Sequence, residues 1–171
     1  MSIADQFLAE YEQQAPVTRR FLERLPADKL TWKPHEKSMT AGQLALHLAT
    51  IPAGMLHFVS TNPAQAPTSF VAPQPASCEE ILKAHDESAA KVPGLLRGFD
   101  DAAMAEPWHL MAGDRELFAP PRGAFLRDIM LNHWYQHRGQ FSVYLRLLGI
   151  PVPASYGPSA DEPPLFMQKP A

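Results

Sequence analysis

Between Gly123 and Leu148 the chain repeats apolar residues at helical spacing with no proline, in a sequence of 171 residues that holds 18 prolines. Pro120-Pro121 stands before this stretch and Gly149 and Pro151 follow it, the marks of a helix start and a helix stop. Its apolar face needs partners, and three further segments offer them. From Ile3 to Leu25, the residues Ile3, Phe7, Tyr11, Phe21, Leu22 and Leu25 recur at helical spacing, with a kink or new start expected near Ala15 because Pro16 lacks a backbone donor. A second helix is expected from about Thr40 to Ser60, capped by Ser38 or Thr40 and bent by Pro52 about one turn beyond His47. In the third, Ser77-Cys78-Glu79-Glu80 has the form of a capping box ahead of Ile81, Leu82, His85, Val92, Leu95, Leu96 and Phe99, and Pro93-Gly94 weakens the last turn.

The connections are equally legible. Thr61 to Ala76 carries four prolines and reads as an extended surface connection rather than an element. Trp108–Met111 and Glu116–Phe118 flank Ala112-Gly113-Asp114-Arg115, which reads as a hairpin turn. From Ile150 onward prolines argue for an irregular tail lying on the surface or on a partner. The expectation is therefore an all-α chain, one domain over residues 1–171: a four-helix bundle with a long connection between helices two and three, a small β-hairpin before the last helix, and a Pro-rich tail over 150–171.

Composition removes several classes of function. A net charge of -3 with no Lys/Arg run gives no surface suited to a phosphate backbone, so nucleic acid is not expected as a partner. The most apolar window, Ala41 to Val59, is interrupted by His47, Thr50, Pro52 and His57, so no membrane span is expected. No basic region precedes an apolar one at the N-terminus, and a cytoplasmic location is the expectation. Cys78 is the single cysteine, which leaves no internal disulfide and no thiolate cluster. A metal would have to use nitrogen or oxygen ligands.

Nitrogen ligands are present in a suggestive pattern. His133 and His137 sit four residues apart, one turn of about 5.4 Å, on the line through Leu126, Ile129, Met130, Phe141 and Tyr144. His47 stands among Leu44, Leu46, Leu48 and Ile51 on another expected helix, with few polar neighbours to satisfy it. Buried imidazoles need partners, and one shared divalent ion would serve all three. There is no His-Glu-x-x-His, and the only Glu-x-x-His, Glu106-Pro107-Trp108-His109, falls in an expected strand, which sets aside zincin and di-iron architectures. His35, His57, His85 and His109 read as surface or capping residues. His57, ten residues after His47, is the nearest of them to the metal or its substrate. Trp32, Trp108 and Trp134, with Met104, Met111 and Met130, read as core.

At these residues the chain resembles the DinB-like superfamily, the DinB/YfiT-like metalloenzymes. His133-Trp134-Tyr135-Gln136-His137-Arg138-Gly139-Gln140 resembles that family's His-x-x-x-His-Arg-Gly-Gln element on its last helix. Thr31-Trp32-Lys33-Pro34, followed by Gly42-Gln43-Leu44-Ala45-Leu46-His47-Leu48-Ala49, resembles its Trp-x-Pro loop and the helix that holds the first ligand. The usual Trp-Ser before that helix is Lys37-Ser38 here, a change in a pocket wall and not in a ligand. The resemblance implies a four-helix bundle, a homodimer, and His47, His133 and His137 as ligands of one divalent ion, commonly nickel, zinc, iron or manganese. It also implies thiol-dependent S-transfer or isomerisation, in which the ion activates a low-molecular-weight thiol and the pocket holds a small electrophile.

Three imidazoles leave a coordination position open, which favours reactivity over a closed structural site. Gln140, Tyr135 and Arg138 are the candidates for contacts to substrate or to the ligands themselves. No residue stands out as a catalytic acid or base. A non-catalytic ion tying helices two and four together in a homodimer is the competing reading, and metal-dependent hydrolysis ranks below both. Hydrolysis needs a general base, and the nearest acid, Asp128, is five residues before His133 and poorly aligned with it.

Overall fold

The computed structural model describes residues 1–69 and 71–168. Phe70, in the connection after the second helix, and residues 169–171, at the end of the tail, lie outside the described residues.

Helix α1 spans Ile3–Leu22 and is closed at its start by a reciprocal cap, in which the Ser2 hydroxyl accepts from Asp5 N–H and the Asp5 carboxylate accepts from Ser2 N–H. No new start occurs near Ala15. Pro16 is exposed, as is Glu12 four residues before it, so the carbonyl deprived of a donor can turn to water. Helix α2 spans Ala41–Val59 and is capped by Thr40, not Ser38: the Thr40 hydroxyl accepts from Gln43 N–H, and the Gln43 side chain accepts from Thr40 N–H. Gly42 lets the preceding loop close against this helix. Its N–H donates to Leu30 O at 2.9 Å, and a Cβ there would meet that oxygen at 2.8 Å.

Strand β1 covers Ala64–Gln65 and helix α3 covers Cys78–Arg97. Only half of the expected capping box forms, because the Ser77 hydroxyl accepts from Glu80 N–H while the Glu80 carboxylate takes the N–H of Ala76 instead. The helix continues through Pro93-Gly94 to Arg97. There follow α4 (Asp101–Ala105), β2 (Leu110–Ala112), β3 (Arg115–Phe118) and α5 (Arg122–Leu126). A π-helical stretch, Arg127–Asn132, then leads into α6, His133–Leu147. The expected single last helix is therefore one helical run with a widened turn in it. Gly149, at φ 71°, ends it in the left-handed conformation that glycine adopts without strain.

Side-chain pairings fix the helix directions. Trp134 meets Leu48 and Tyr144 meets Met39, so α6 runs antiparallel to α2. Tyr135 meets Glu10 and Arg138 meets Thr18, so α6 runs parallel to α1. Arg19 meets Asp86 and Leu25 meets Cys78, so α3 runs antiparallel to α1 and hence parallel to α2. Two consecutive parallel helices need a connection that returns the length of a helix, which is what residues 60–77 do. On the way this segment contributes β1, which pairs in parallel with β2 (Ala64 with Leu110, Gln65 with Met111). The bundle expected from the sequence is present, with a three-stranded sheet β1-β2-β3 at one end where only a hairpin was expected. The hairpin turns on Gly113-Asp114, and Ala112 and Arg115 pair inside it, tighter than the four-residue turn read from the sequence. Trp108 fills the core as expected, with 0% exposure, but it precedes the first strand of the hairpin, which starts at Leu110.

Tail residues 150–168 pack on α1 and α6 rather than hanging free. Val152 and Ala154 are buried, Glu162 pairs with Arg20 (2.5 Å) and Arg24 (2.9 Å), and Tyr156 lies over the Arg138 guanidinium at 5.0 Å. No helix among the described residues is long and apolar enough to cross a membrane.

Candidate metal centre

The antiparallel contact of α2 and α6 brings His47 against the four-apart pair. The His47 ring centroid lies 5.4 Å from that of His133 and 4.8 Å from that of His137, and one nitrogen from each of the three rings falls within 4.8 Å of the others. Three histidines this close could hold a metal ion. His47 and His133 are half-buried and His137 is 8% exposed, so the group sits at the edge of the core with access from solvent.

Each ring of the pair has a hydrogen-bond partner behind it. His133 Nδ1 lies 3.3 Å from Ile129 O, a carbonyl that can only accept, so Nδ1 carries the proton. His137 Nδ1 lies 2.7 Å from Gln140 Oε1, which fixes the same tautomer. With both protons on Nδ1, the two Nε2 atoms, 2.7 Å apart, present lone pairs to each other. Two acceptors at that distance repel unless a proton or a cation lies between them. A divalent ion with metal–nitrogen bonds of about 2.0–2.1 Å needs ligand nitrogens roughly 3.0–3.4 Å apart, and three imidazole nitrogens within 4.8 Å of one another fit as its donor set once the rings draw together. Burial, then the nearby His137 and His133 rings, push His47 down to about 4, and burial also lowers His137. Both therefore favour the neutral form that coordinates metal.

This depression has a consequence for the metal-free protein. The unfolded chain takes up a proton at His47 below about pH 6.5, whereas the folded chain does not until about pH 4. Stability contributed at this site is thus complete above about pH 6.5 and is lost as pH falls from there to about 4. Melting curves of chelator-treated protein should show this decline, and His47→Leu should flatten it.

Gln140 is exposed and meets the site at His137, whose Nδ1 lies 2.7 Å from its Oε1. Gln140→Leu should therefore weaken Zn2+ binding by roughly 10- to 100-fold with little change in metal-free melting, measured by chelator competition. Tyr135 and Arg138 face elsewhere. The Tyr135 hydroxyl donates to Glu10 on α1 at 2.9 Å, and burial together with that carboxylate holds its phenol well above the usual range. Arg138, 3% exposed, donates to Gln14 Oε1 (2.7 Å) and Thr18 Oγ1 (3.2 Å) and stacks on Tyr135 and Tyr156. His57 is exposed on α2 and lines a groove of about 770 Å³ between α2 and α3, with Thr50, Gly54, Glu87 and Lys91. His35 accepts from Lys37 N–H in its loop, His85 is buried on α3 beside Asp86, and His109 pairs with Glu116 at 2.6 Å. None of these four joins the three-histidine group. Glu10, Gln14 and Thr18, which hold α6 against α1, carried no signal in the sequence beyond their place on the first helix.

A helical bundle with a small end sheet and three histidines converging from its second and last helices defines the class. The chain belongs to the DinB family, whose model matches residues 1–165. It is similar to the uncharacterized protein YrdA of Bacillus subtilis (strain 168), 29% identical over 160 residues that cover 92% of this chain and 90% of that protein. Among solved structures it is similar to a DinB-like protein from Bacillus cereus ATCC 10987, with TM-score 0.68 and 22% identity over 89% of this chain and 97% of that one. A DinB-like protein of Bacillus subtilis, YjoA, gives TM-score 0.62 and 20% identity over 84% and 92% of the two chains. At these identities the structures speak to the fold.

Proposed function

We propose that His47, His133 and His137 bind one divalent ion, such as nickel, zinc, iron or manganese, and that the protein is a metal-dependent thiol S-transferase. The observation that carries the metal reading is the convergence of three ring nitrogens within 4.8 Å of one another, with His133 Nε2 and His137 Nε2 2.7 Å apart and their Nδ1 atoms set against Ile129 O and Gln140 Oε1. Bound there, the ion supplies Lewis acidity that lowers the proton affinity of a coordinating low-molecular-weight thiol. His47, His133 and His137 contribute three nitrogens and leave room for an outside ligand, with solvent access past the half-buried His47 and His133 rings. In the transfer, the thiol gives its proton to water, its sulfur bonds the electrophilic carbon of a small partner, and the leaving group departs with its electron pair. No side-chain base is required. That favours transfer over hydrolysis, since no carboxylate joins the histidines among the described residues and Asp128 is engaged by Asn132 at 3.1 Å.

The protein acts as a homodimer in this reading, supported by the family resemblance and by Val143 and Leu147, 55% and 60% exposed one turn apart on α6. Light scattering on the purified protein tests this directly. For the reaction, metal-loaded protein is incubated with a bacterial thiol and a panel of electrophiles while free thiol is titrated. Consumption that needs metal and vanishes in His133→Ala is the expected result. A fully loaded protein that consumes no thiol with any electrophile would leave a bundle whose ion only clamps α2 to α6.

A further inference from the structure

Pro52 lies inside α2 and has no N–H, so the carbonyl four residues earlier, Leu48 O, lacks its helical donor. The next amide is drawn toward α3, where Ala53 N–H donates to Ser88 Oγ at 3.3 Å. Trp134 fills the vacancy from across the bundle, donating its indole N–H to Leu48 O at 2.9 Å from a side chain that is 1% exposed. Leu48 directly follows His47, and Trp134 lies between His133 and His137. The bond therefore joins the two histidine-bearing helices at the level of the three rings.

A second departure from α-helical bonding sits on α6. In the π-helical stretch His133 N–H donates to Asp128 O, five residues back, and Ile129 O, four residues back, lies 3.3 Å from His133 Nδ1. Each helix thus deviates beside its own histidines, and each deviation offers a carbonyl to a side chain of the site or its neighbour.

We propose that Pro52 and Trp134 are positioning residues of the metal centre, acting together: the proline frees the Leu48 carbonyl, and the indole uses it to set the height of α6 against α2. This rests on the metal reading above. If Trp134 served only as core, through its stack on Tyr11 at 5.3 Å for example, its loss and that of Pro52 would act independently. If the two share one link, cutting it twice costs no more than cutting it once.

The test is a double-mutant cycle on Co2+ affinity, read by competition with a chelating dye, for wild type, Pro52→Ala, Trp134→Phe and the double variant. Each single change should weaken binding about tenfold, and the double should be no weaker than the singles. Pro52→Ala should do so while metal-free protein melts at or above the wild-type temperature, because it restores a helical N–H. Losses that multiply to about a hundredfold in the double, or singles that bind as wild type does, would overturn the link. Should Trp134→Phe not fold, exchange of the Trp134 indole proton in Pro52→Ala, followed by 15N NMR, decides instead. Faster exchange with weaker Co2+ binding supports the link, and unchanged exchange refutes it. A wild type that binds no Co2+ sinks the metal reading itself, an outcome distinct from a binding wild type with independent losses.

Discussion

Replacing His137 by alanine should weaken Zn2+ or Co2+ binding by roughly 100- to 1,000-fold. The estimate follows from apparent zinc binding energies of about 10–16 kcal/mol over four ligands, or about 3 kcal/mol for each. His137 should be the most sensitive of the three. It is the most buried, its Nδ1 is held by Gln140, and its Nε2 faces that of His133. His47→Ala and His133→Ala should follow in the same direction. In the metal-free protein the change should be mild, because removing either Nε2 relieves the contact between two lone pairs. A large loss of melting temperature in the loaded protein beside a mild change in the metal-free protein would be hard to obtain from a histidine that merely fills the core. Isothermal titration with Zn2+ beside paired melting curves measures both.

Trp108→Ala should be the most damaging single change to the fold, costing about 3–5 kcal/mol, with a melting temperature lower by about 10 °C or more. Trp108 has 0% exposure and stacks on Phe125 with centroids 4.5 Å apart and planes 11° apart, while Phe58 meets it edge-on at 5.2 Å. Its indole N–H also donates to Thr61 O at 2.8 Å. One side chain thus joins the end of α2, the start of the long connection, and the helix that leads into α6. Truncation leaves a cavity and an unpaired carbonyl together. Denaturant unfolding against Trp108→Phe, which keeps one six-membered ring but loses the donor and the smaller ring, divides the cost, and the hydrogen bond should account for about 1 kcal/mol of it.

The four long helices were legible because their apolar positions repeat at helical spacing and two of their caps are ordinary ones: Thr40 and Ser77 both accept from the backbone three residues on. Proline positions were read less well, since proline's effect depends on which way the orphaned carbonyl points. The carbonyl opposite Pro16 belongs to an exposed residue and α1 runs on, while the one opposite Pro52 is turned inward and is claimed by Trp134. Strand β1 was not legible, because two residues pairing with a distant hairpin leave no local pattern. The π-helical turn before His133 was equally hidden, as the apolar spacing of Leu126, Met130 and Trp134 suits an α-helix as well. For the site, the four-apart pair and His47 could be picked out by spacing and by their apolar neighbours. Their convergence required the antiparallel contact of α2 and α6, which no local signal specifies.

The most direct test of the account is elemental analysis of protein purified without an affinity tag, for wild type and His133→Ala, with melting curves before and after chelation. About one equivalent of a divalent metal in the wild type, absent from the variant and stabilising the fold when restored, is the predicted result. No metal in either protein, with melting unmoved by added zinc or nickel, would contradict it and make the three histidines part of the core alone.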